Sequence, residues 1–75
     1  MILFVKNISG ITLKFELQPG SSVLDLKKKV QYAERYDIDA IGLEFGAQSL
    51  ENDRMIADYN LQNETTLTLV RFYFH

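Results

Sequence analysis

The sequence predicts an α+β domain: a mixed five-stranded sheet with one main α-helix packed across one face. Three observations carry that expectation. A single stretch, Ser22 to about Tyr36, has a helical period, with Val23, Leu26, Val30 and Ala33 recurring at intervals of three and four. The other ordered stretches alternate apolar and polar residues, as strands with one buried face do. A hairpin precedes the helix and further strands follow it. A lone amphipathic helix is marginal in water, so this one must lie on the sheet the rest of the chain makes.

Residues 1–7, MILFVKN, are rich in β-formers, with Leu3 and Val5 on one face and Ile2, Phe4 and Lys6 on the other. Ser9-Gly10 signals a turn, and Gly10 can take the positive φ of a bulged hairpin. Residues 11–17 place Leu13, Phe15 and Leu17 inward and Thr12, Lys14 and Glu16 outward. Pro19-Gly20 ends this second strand. The helix is predicted over about 23–34. Ser22 opens it with a hydroxyl that can accept an orphan backbone N–H, and Asp25 completes a short-armed capping box. Lys27, Lys28 and Lys29 fall mostly on the flanks of its apolar stripe.

Beyond the helix, Asp37-Ile38-Asp39 reads as a polar bend with one apolar anchor. Ile41, Leu43 and Phe45 form a third strand, which Gly46-Ala47 turns towards the short segment Gln48 to Leu50. Met55, Ile56 and Tyr59 suggest a helical turn that plugs the bottom of the core. Asn60 and Asn63 are the expected left-handed or turn positions. The last strand runs from about Thr65 to Phe72, with Leu67 and Leu69 inward and Thr66, Thr68 and Val70 outward. The order β-β-α-β-β-(turn)-β, with the first and last strands adjacent and parallel in the middle, is the β-grasp arrangement. Its expected core is Leu3, Val5, Leu13, Phe15, Leu17, Leu26, Val30, Leu43, Leu50, Ile56, Leu67 and Leu69.

Seventy-five residues make one domain over 1–75, small enough to bury only roughly 60% of its extended-chain surface. With no cysteine and one histidine, neither a disulfide nor a Cys/His metal site can help, and an apolar fraction of 47% suits a core that works alone. A net charge of −2 gives no electrostatic footprint for nucleic acid or an anionic membrane. No apolar run is long enough to span a bilayer, and no targeting signal opens the chain. The cysteine-free composition suits a reducing, cytoplasm-like compartment without fixing an address.

The run Asp58-Tyr59-Asn60 with Gln62 and Glu64 is specific. It stands beside Phe4-Val5-Lys6, Gly10, Pro19, Lys27, Lys29, Leu50-Glu51, Arg54, Thr66-Leu67 and Leu69-Val70. In these residues the chain resembles the ubiquitin-like family over its whole length without a gap. The resemblance implies a β-grasp fold and a docking patch on the outer face of the sheet. It also implies a terminal diglycine and lysines through which modifiers are linked. The departures concentrate on function. The chain ends Arg71-Phe72-Tyr73-Phe74-His75 instead of in diglycine, residues too bulky for an activating channel shaped for glycine. Ile8 and Val70 of the patch are kept, but Glu44 stands in place of its central isoleucine and Thr68 in place of its histidine. Ile11, Ala33, Gln48 and Asn63 replace the linkage lysines, and Gly42 and Phe72 replace flanking basic residues. Arg35 replaces the glycine that ends the family's helix, so it is expected to be left-handed.

Candidate chemistry is thin. His75 is isolated, so catalytic triads, dyads and zinc sites are excluded, and no cofactor is expected. Asp37 and Asp39 read as a solvated loop, since this stretch lacks the further oxygen ligands a cation needs. Lys27 to Lys29 read as a solvated helix face beside Asp25 and Glu34. In the family the residue matching Lys27 meets an acidic side chain, where this chain has Asn52. Phe72, Tyr73 and Phe74 offer an apolar tail capable of weak self-association.

Two readings follow. The favoured one is a designed or redesigned sequence written for the family's backbone, with no evolved biochemical function, no enzyme activity, no conjugation and no partner. The alternative is a natural, non-conjugating ubiquitin-like domain that binds another protein through Phe4, Ile8, Thr68 and Val70.

Overall fold

The computed structural model describes residues 1–18 and 20–72. The expected stop at Pro19, and the tail residues Tyr73, Phe74 and His75, lie outside the described residues. Strands β1 (Ile2–Lys6) and β2 (Thr12–Glu16) form a hairpin, and helix α1 (Val23–Glu34) follows. A 3-10 turn, Ile38–Ala40, leads into β3 (Ile41–Phe45) and β4 (Gln48–Leu50); a second, Ile56–Tyr59, precedes β5 (Thr65–Arg71). The sheet order is β2-β1-β5-β3-β4, with β1 and β5 parallel at its centre and the other neighbours antiparallel. This is the β-grasp topology the sequence predicts.

Period-two alternation decides which face of the sheet is dry. Leu3, Val5, Leu43, Leu67 and Leu69 point to the helix and are all but inaccessible, as are Val23, Leu26 and Val30 on α1. Leu50, Ile56, Leu61 and Tyr59 close the bottom, and the Tyr59 hydroxyl accepts the Glu51 N–H at 2.8 Å. The helix starts as expected: Ser22 Oγ accepts the Asp25 N–H, and the Asp25 carboxylate accepts the Ser22 N–H. Those bonds hold the Asp25 carboxyl below its ordinary range, with Lys28 and Lys29 adding to the effect. The helix ends at Arg35, left-handed at φ 61° and ψ 35°.

Several expectations are corrected. Leu13 and Phe15 are half-buried, because β2 is an edge strand that the helix does not fully cover. Ala33 is exposed for the same reason, sitting over the groove beside β2. Met55 is exposed at 51%, since the segment there is held by its backbone, through the Asp58 carboxylate and a bridge to Ser22. Asn60 is left-handed at φ 54° and Asn63 lies in a turn, both as expected, and the neighbouring Glu64 is left-handed as well, at φ 67°. Asn63 keeps an ordinary backbone and uses its side-chain oxygen to accept the Ile2 N–H at 2.7 Å. Lys27 lies in the core layer at 5% exposure and not on a flank.

Candidate protein-interaction surface

The outer face of the sheet is built in rows across the strands. Lys6 on β1, Thr68 on β5 and Glu44 on β3 fall in one row, because Thr68 is the register partner of both neighbours. The preceding row holds Lys14, Phe4 and Thr66. The next one holds Val70 and Gly42. A polar bar therefore crosses the sheet, with Phe4 on one side and Val70 on the other.

On the Val70 side lies a shallow cleft. Ile8 and Val70 supply its apolar surface, Thr68 closes one side, and Lys6 and Arg71 stand on its rim. The structure thus brings together Ile8, Thr68 and Val70 of the four sequence candidates and leaves Phe4 beyond the bar. Phe72 joins them. Its N–H donates to the Ala40 carbonyl at 2.7 Å, which carries the β5 direction one residue past the strand. Its ring lies over Gly42, close to Val70, and remains 48% exposed. An aromatic ring covering a diagonal glycine restores the apolar cover that a missing side chain leaves open.

The residue that holds Ile8 out, Asn7, is not among the sequence candidates. Asn7 is 8% exposed and makes a clamp across the hairpin turn. Its Oδ1 accepts the Ile11 N–H at 2.9 Å, while its Nδ2 donates to Glu34 on the helix at 2.9 Å. With Gly10 left-handed at φ 87°, the chain reverses tightly and Ile8 projects at 45% exposure. An Asn three residues before a turn glycine was the available signal.

Elsewhere the chemistry is structural. Burial lowers the Lys27 pKa, and Asp39 opposes part of that shift. Asp39 thus takes the electrostatic role that an acidic residue at position 52 would have played, while the Asn52 carbonyl accepts the Leu24 N–H. Among the described residues no group of three or more His, Cys, Asp and Glu is placed to hold a metal ion, and no helix is long and apolar enough to cross a membrane.

Comparison with known proteins agrees with this architecture. A family model described as "Ubiquitin family" matches residues 3–71. In mouse, AN1-type zinc finger protein 4 is 31% identical over 70 residues, which are 93% of this chain and 10% of that protein. The chain therefore spans about a tenth of the length of that curated relative. By the model match over most of its length, the chain belongs to the ubiquitin family.

Proposed function

We propose that this is a non-enzymatic, non-conjugating ubiquitin-like domain that binds another protein without covalent linkage, through the corner of the sheet formed by Ile8, Val70 and Phe72. The observation that carries this reading is the Phe72 ring over Gly42. Where the resemblance implies two basic flanks, this chain has a glycine and an aromatic that fit each other. Together they extend the apolar surface away from Glu44, which is half-buried and charged on the polar bar.

One further feature supports the absence of conjugation. Ile11, Ala33, Gln48 and Asn63 are all exposed, so these linkage positions are reachable and yet carry no amine. The mouse relative carries a similar sequence within a much longer protein.

The second reading, a sequence kept for its fold alone, draws on the loss of the patch centre while Leu43, Leu67 and Leu69 remain buried. Site-specific photo-crosslinking in the source cells separates the two. A photoreactive residue at Ile8 should capture one defined protein, and the same residue at exposed Gln62 should not. Capture at neither position would support the fold-only reading. An ATP-dependent thioester with an activating enzyme would overturn the claim of no conjugation.

A further inference from the structure

We propose that the shallow cleft at the C-terminal end of α1 takes the guanidinium group of an arginine on a partner protein, independently of the Ile8 corner. Gln31, Tyr32, Arg35, Tyr36 and Asp37 line it. Tyr32 is 90% exposed, the most exposed of the large hydrophobic side chains among the described residues, so its ring is open to an outside group. Tyr36 is half-buried and packs against the core, which fixes its ring at the cleft.

The surroundings set the charge of the occupant. The Arg71 guanidinium lies over the Tyr36 ring, 5.9 Å from its centroid, so this ring is held where a planar cation stacks. Arg71 does not line the cleft, which leaves the cleft side of the ring to another group. The helix ends here with the negative end of its dipole and no basic side chain in its last turn. Asp37 is exposed, and its carboxylate is not spent on a cap, since the turn Ile38–Ala40 has no side-chain cap bond. Arg35 is the one cation of the lining, offset by Asp37 and by the carbonyl end of the helix.

Two phenol rings beside a carboxylate and a helix C-terminus suit a cation. A guanidinium suits them better than an ammonium, because it stacks flat on a ring while its fork donates to the carboxylate. The cleft is too open to enclose a whole small molecule, since ligand pockets bury most of what they hold. It fits one side-chain head, with the remaining affinity supplied by the protein that carries it. The proposal needs no residue of the Ile8, Val70 and Phe72 corner.

The test is an NMR titration with three short peptides, each capped at both ends, with glycines and serines around a central arginine, citrulline or lysine. Citrulline keeps the shape of arginine and removes the charge. Amide shifts are expected at Gln31, Tyr32, Tyr36 and Asp37, with arginine favoured over citrulline by about fivefold or more at low salt. Tyr32→Ala, at an exposed position, should abolish that preference, and Tyr32→Phe should keep it. Arg35→Gly should tighten arginine binding about twofold by removing the competing cation. Equal affinity for arginine and citrulline, lysine matching arginine, shifts confined to Ile8, Thr68 and Val70, or no shift at tens of millimolar peptide would each overturn the proposal. The same shifts on concentrating the protein alone would put a second copy in the cleft and overturn it too.

Discussion

The Phe72 ring rests on Gly42, its Cζ 2.7 Å from where a Cβ on that glycine would stand. The two positions are therefore coupled: the glycine makes room for the ring, and the ring covers the glycine. Gly42→Ala alone should displace Phe72 and cost stability. In a Phe72→Ala background the same change should cost less, because the remaining close neighbour is Val70 Cγ2 at 3.2 Å, which must give by a few tenths of an ångström, and alanine suits a strand better than glycine by about 0.5–1 kcal/mol. A double-mutant cycle in urea should return a coupling of about 0.5–3 kcal/mol. Additive effects would place the ring elsewhere.

Two non-glycine residues carry avoidable backbone strain. Arg35 at φ 61° and Glu64 at φ 67° occupy the left-handed region without the short polar side chain that eases Asn60 there. Arg35→Gly and Glu64→Gly should each raise stability by about 1–2 kcal/mol, seen as a higher urea midpoint at unchanged slope. A clear loss at position 35 would mean that the helix ends beyond it.

The Asn7 clamp sets the interaction corner. Asn7→Ala leaves the Ile11 N–H without its acceptor and removes the bond to Glu34, for a cost of about 1–3 kcal/mol. Asn7→Asp keeps the acceptor but sets a carboxylate against Glu34. Added salt should shrink its deficit by screening that like-charge pair. A deficit independent of salt would show that the Glu34 contact is not made in solution.

Lys27 predicts an alkaline gain in stability. Burial lowers its folded pKa below the unfolded value of 10.5, so the unfolded chain holds this proton to higher pH. Between the folded value and 10.5 the unfolded state binds more protons, and stability rises with pH in that window. Lys27→Met should be more stable than the parent at about pH 7 and should lack this rise. Urea midpoints measured from about pH 7 to about pH 10 check it, and an identical rise in both proteins would assign the effect to other groups.

The legible part of the fold was the part written in periodicity. The helix bounds, the parallel pairing of β1 with β5, and buried Leu43, Leu67 and Leu69 follow from alternation and helical spacing alone. Leu13, Phe15 and Ala33 were misplaced because a side chain that points inward on an edge strand meets the helix only if the helix reaches that far. Lys27 was misplaced because a charged residue on a helical wheel gives no sign that it will be buried within the electrostatic reach of Asp39. At the candidate site, Ile8, Thr68 and Val70 were readable from the resemblance. The separation of Phe4 was not, because it depends on which strand pairs bring Lys6, Thr68 and Glu44 into one row. The fit of Phe72 on Gly42 joins residues on β3 and beyond β5, a contact that no local pattern encodes.

Glu44 stands at the centre of the outer face. A receptor helix that packs on the middle of this face must bury its carboxylate, which is half-buried already and has Thr68 and Ser49 as register partners. A buried unpaired charge disfavours the complex or is forced to take up a proton. The most direct measurement is an NMR titration of a ubiquitin-binding helix into the parent protein and into Glu44→Ile, each at neutral pH. No binding to the parent and measurable binding to Glu44→Ile, with shifts centred on Ile8, Thr68 and Val70, is the predicted result. Equal binding to both proteins would contradict it.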